Sequence, residues 1–96
     1  MTRTIRWTVR AVRRLDAVGA HIARDDRMAA ARVVARIVSG VELLGGQPAI
    51  GRVGRIAGTR ELVFADVPYI VPYRVRPTSI EILTVIHTAQ NWPESP

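Results

Sequence analysis

At 96 residues the chain is long enough for one domain with a single core and too short for a second, and its 48 % hydrophobic and 23 % charged content is globular rather than disordered. Fourteen basic residues against eight acidic ones give a net charge of +6, and every basic residue is arginine, which stays protonated and so excludes all fourteen as general bases. Cysteine is absent, which excludes disulfides, thiolate nucleophiles and thiolate-held zinc.

The elements follow in chain order. In TIRWTV (4–9), Ile5, Trp7 and Val9 alternate with polar residues, the period of a half-buried strand. From about Arg10 the period lengthens: Val12, Leu15, Val18 and Ile22 form the stripe of an amphipathic helix ending near Arg24. Asp25 and Asp26 offer an N-cap to a second helix, whose stripe is Ala30, Val34, Ile37, Val38, Val41 and Leu44 and which GGQPAIG (45–51) stops.

After Gly58 the pattern returns to strands: RELVFA (60–65), YIVPYRV (69–75) and SIEILTVIHT (79–88). The connections DVP and RPT are short enough to join antiparallel neighbours, so the three form a meander. Pro72 lacks a ladder donor and implies a bulge within it. The expected fold is α+β, β-α-α-β-β-β, a helical hairpin packed on one face of a small, mainly antiparallel sheet, with the other face open. One domain spans 1–96, with a loosely held tail from about 91.

No stretch reaches the roughly 18 apolar residues that a membrane span requires, and MTRTIRWTVR lacks the apolar centre of a signal peptide. A cytoplasmic protein with no membrane partner is expected. With His21 and His87 the only histidines, neither a metal nor a cofactor is expected. The basic balance suits polyanions or an acidic protein.

The element order together with GRVGRIAGTRELV (51–63), PYIVPYRV (68–75) and EILTVIHTAQNWP (81–93) resembles the RelE/ParE superfamily of bacterial type II toxin–antitoxin toxins, most of all the small RelE/StbE or ParE-like ones. The resemblance runs from Trp7 to Pro93. It implies a compact toxin neutralised by a cognate acidic antitoxin, in a hetero-oligomeric complex. It also implies one of two targets: RelE-like members cut mRNA in the ribosomal A site, whereas ParE-like members poison DNA gyrase without being nucleases. One fold hosts both.

RNA cleavage needs a base for the 2′-hydroxyl, cations for the phosphorane-like transition state and an acid for the leaving oxygen. Arg60 and Arg74 are the candidate phosphate ligands and His87 the candidate proton carrier, so the sequence reading is a ribosome-dependent endoribonuclease. The lysines that assist family nucleases are absent, and no tyrosine follows His87, which leaves the gyrase inhibitor as the alternative. Arg52 and Arg55, on a glycine-rich connection, and Trp92 near the end of the chain are the candidate contacts for a polyanion or the antitoxin.

Overall fold

The computed structural model describes residues 2–90, so the tail expected from about 91, Trp92 included, lies outside the described residues. The elements are β1 (Thr4–Trp7), α1 (Val9–Ala23), α2 (Arg27–Leu43), β2 (Arg52–Val53), β3 (Arg60–Val63), β4 (Tyr69–Val75), β5 (Ser79–Ile82) and β6 (Ile86–His87). Strand order across the sheet is β1-β5-β4-β3-β2, with β6 continuing along β4.

The first strand stops two residues before the expected end because Thr8 turns the chain. Its N–H and its hydroxyl both donate to the Ile82 carbonyl, at 3.1 and 2.8 Å, while the hydroxyl oxygen accepts from Ala11 N–H at 3.1 Å. One residue thus ends β1, caps α1 and fastens that helix to β5. The second cap falls where the sequence places it, Asp26 accepting from Ala29 N–H at 3.0 Å.

The meander is present, β3, β4 and β5 pairing antiparallel in sequence order. Two features go beyond the sequence expectation. β1 lies parallel to β5, from Thr4↔Ser79 to Trp7↔Ile82, and a two-residue β2 pairs with the start of β3.

The predicted strand over 79–88 is divided in two, and the register explains why. Tyr73 faces Ile82 and Ile70 faces Ile86, so the two β4 residues between them, Val71 and Pro72, oppose three residues on the other side. That is a bulge, placed on the partner of the proline-bearing strand. The Pro72 carbonyl accepts from Leu83 N–H at 3.0 Å, so the missing proline donor faces the same side, where the ladder is already interrupted.

The hairpin covers one face. Ile37, Val41 and Leu44 of the second helix and its end meet Leu62, Phe64, Val71, Tyr73, Ile80 and Ile82 in one core, with Ile5, Trp7 and Leu15 packed against it. Val34 and Val38, placed on the same stripe by periodicity, are only partly buried. The opposite face is less open than expected. Glu61, Ile70, Pro72 and Ile86 are buried on it, and Arg6, Arg74 and Glu81 lie side by side across β1, β5 and β4.

Tyr73 ties this core to the loop after α2. Its buried hydroxyl donates to the Pro48 carbonyl at 2.7 Å and accepts from Gly51 N–H at 3.0 Å. Burial raises its pKa above the ordinary 10.0, with the Gly51 bond and the Arg60 charge opposing that rise. A raised tyrosine pKa gives stability that is full below the unfolded value and falls as pH rises through the folded one. Tyr73→Phe is therefore expected to lower stability by about 2 kcal/mol at neutral pH, since two loop groups lose their partner. It should also flatten the alkaline loss that begins near pH 10 in the unaltered chain. Melts across pH check both effects, and an unchanged melt at neutral pH would contradict the assignment.

Candidate functional site

The connection carrying Arg52 and Arg55 is organised around one carboxylate. Glu61 is 1 % exposed at its side chain, yet it lies at the strand edge nearest the 51–55 segment. Its Oε1 accepts from Arg52 at 2.8 Å, and its Oε2 accepts from the backbone N–H of Arg55 at 2.8 Å, with the Arg55 guanidinium at 4.0 Å. Both arginines remain about half exposed, at 51 % and 53 %. They are positioned arms rather than the freely reaching ones that a glycine-rich stretch suggests, because β2 and Glu61 hold their backbone. Gly58, at φ 78°, supplies the left-handed residue that lets the chain return from β2 into β3.

Arg60 lies on the hairpin side of the sheet, beside Tyr73, and its Nη1 donates to the Gly51 carbonyl at 2.9 Å. Arg60 and Glu61, neighbours in sequence, thus fasten the same loop from opposite faces. Arg74 lies on the other face, its guanidinium 3.6 Å from Glu81, which Arg76 also approaches at 3.4 Å. Arg60, Glu61 and Arg74 do not pair with one another: Glu61 is shared by Arg52 and Arg55, Glu81 by Arg74 and Arg76, and Arg60 bonds to backbone.

His87 is at the far end of β4. Its ring meets Tyr69 edge to face, with centroids 5.2 Å apart, and its Nδ1 accepts from Ala89 N–H at 3.0 Å. It lines a cavity of about 360 Å³ against α1, together with Arg14, Val18, His21, Tyr69 and Gln90. His21, on the first helix, is exposed and faces this cavity. The stripe Arg14, Ala17, Val18 and His21 was legible as helical spacing, but its partner surface depends on the register beyond the bulge.

The structure does not bring Arg60, Arg74 and His87 together. Arg60 pairs opposite Tyr73 and His87 opposite Tyr69, on strands flanking β4. Four strand residues amount to about 13 Å, and two ladder spacings to about 9.6 Å, so the backbones are roughly 16 Å apart. Arg74 is nearer in sequence register but on the other face. A proton carrier must reach within about 3 Å of the atom it serves. Trp92, the remaining candidate, lies outside the described residues.

The fold is similar to those of two solved toxin–antitoxin structures. One is the chromosomal ParDE toxin–antitoxin system of P. aeruginosa, with TM-score 0.80, 28% identity, and coverage of 90% of this chain and 96% of that one. The other is the toxin–antitoxin complex RelBE2 of Mycobacterium tuberculosis, with TM-score 0.69, 25% identity, and coverage of 91% and 99%. The chain belongs to the ParE toxin family of the type II parDE toxin–antitoxin system, whose family model matches residues 5–92. It is also 61% identical over 90 residues to the Sinorhizobium fredii (strain NBRC 101917 / NGR234) protein named "Putative toxin Y4kP", covering 94% of this chain and 93% of that protein. Among the described residues no helix is long and apolar enough to cross a membrane.

Proposed function

We propose that this toxin arrests growth by binding DNA gyrase, not by cutting mRNA, and that a cognate acidic antitoxin keeps it inactive in the cytoplasm. The observation that carries the reading is the dispersal of the candidate nuclease groups Arg60, Arg74 and His87 over two faces and about 16 Å of sheet. Each is also engaged within the fold, Arg60 with Gly51, Arg74 with Glu81 and His87 with Ala89 and Tyr69. A toxin that works by docking needs no convergent acid and base. The ParE family match and the greater likeness to the ParDE structure than to RelBE2 support the same side.

The antitoxin follows from the solved relatives, both described as toxin–antitoxin assemblies. A net charge of +6 steers such a chain toward acidic partners and favours a partly disordered acidic segment that folds on binding.

Chains carrying Arg74→Ala or His87→Ala, induced without antitoxin, are expected to arrest growth as strongly as the unaltered chain. Growth curves with matched expression read this directly. Loss of arrest in both variants, with folded protein present, would restore the ribonuclease assignment of Arg74 and His87.

A further inference from the structure

The cavity between α1 and the end of the sheet is built from donors over an apolar floor. Arg14 is fixed through Nε, which donates to the Val85 carbonyl at 3.3 Å, so its two Nη nitrogens are left to donate elsewhere. His87 accepts through Nδ1, so its neutral ring carries the proton on Nε2 and presents a donor. His21, exposed on the same helix stripe as Arg14, adds a third nitrogen-bearing side chain. Val18 and the Tyr69 ring supply the floor, and no carboxylate is among the described residues lining the cavity.

This chemistry selects its occupant. Three cationic or donor side chains without an acidic neighbour ask for a carboxylate, and the apolar floor asks for an aliphatic or aromatic group beside it. A volume of about 360 Å³ is at the low end for ligand sites, enough for a pair of side chains. The geometry points to this cavity as the seat of an antitoxin segment in which an aspartate or glutamate neighbours a large apolar residue. The inference rests on the antitoxin reading above and adds the place and chemistry of contact. It also gives Arg14 and His21 a role in neutralisation.

Titration of the purified chain with its purified cognate antitoxin tests this. The Arg14→Gln, His21→Gln double variant is expected to bind about thirtyfold more weakly. Arg13→Gln, one residue along on the exposed side of α1, is expected to lose less than about threefold. Ala17→Trp, at an exposed position on the cavity rim, leaves every charge in place and should weaken binding comparably by filling the space, which keeps the test valid if the double variant folds poorly. Equal losses in the Arg13 and double variants would mean diffuse charge attraction and overturn the assignment. So would a self-associating chain that Ala17→Trp renders monomeric with antitoxin affinity unchanged, since the occupant would then be a second copy. A tight wild-type complex indifferent to all three variants overturns the cavity alone, whereas failure of the unaltered chain to bind its antitoxin overturns the antitoxin reading and the cavity with it.

Discussion

Glu61→Ala is expected to lower stability by about 3 kcal/mol and to release the 51–55 segment from the sheet. The buried carboxylate accepts from the Arg52 guanidinium and from the Arg55 backbone, so its loss leaves an N–H and a held cation without their acceptor. Both arginines are about half exposed and can turn to water, which places the cost at the lower end for a broken buried pair. For a domain of this size that corresponds to a fall in melting temperature of roughly 15 °C. Glu61→Gln keeps an acceptor and the shape and should lose less. Hydrogen exchange supplies the local readout: the Arg55 amide is expected to lose protection in the alanine variant while the α2 amides keep theirs. An unchanged melt with an unprotected Arg55 amide in the parent chain would contradict the role given to Glu61.

Gly40→Ala, normally a gain of about 1 kcal/mol in a helix interior, is expected here to cost about 2 kcal/mol. A methyl at this point of α2 would run into the edge of the Phe64 ring. That ring has little room to swing away, because it is buried at 8 % exposure in the core, with the Arg36 guanidinium, paired 2.8 Å from Asp66, lying 4.9 Å from its centroid. The same Arg36 bond holds the Asp66 carboxyl below its usual range, a contribution present above that range and lost as acid protonates it. Crowding against one partner should be relieved by shrinking it. The Gly40→Ala, Phe64→Leu pair is therefore expected to cost less than the sum of its single changes. Thermal melts of the cycle measure the coupling, and strict additivity would contradict a direct clash.

Much of the fold was legible because it rests on local signals. Periodicity located both helices, Asp26 announced the second, and the short DVP and RPT connections fixed the β3-β4-β5 meander. What the sequence hid depends on contacts between distant segments. Nothing near Thr8 shows that it will meet the Ile82 carbonyl, so the parallel β1–β5 pairing and the early end of the strand had no local cue. Pro72 signalled a bulge, but a proline cannot say which of its neighbours will carry the extra residue.

The candidate site was less readable for the same reason. Arg60, Arg74 and His87 were grouped by residue type and by their place on successive strands, while the side each faces is set by register. A strand alternates faces at every residue, so Arg74 falls opposite Arg60, and the bulge before β6 sets where His87 emerges. Nothing local in the sequence marks Glu61 for burial, yet that burial makes it the organiser of Arg52 and Arg55.

The proposed mode of action, docking on gyrase, can be tested on the enzyme itself. The most direct measurement is supercoiling by purified gyrase in the presence of the purified chain, run beside a folded Arg74→Ala, His87→Ala double variant. Inhibition by both proteins at similar concentrations is the expected result. Gyrase unaffected by a large excess of the chain, with new mRNA 5′ ends inside translated codons on induction that vanish in the double variant, would contradict it.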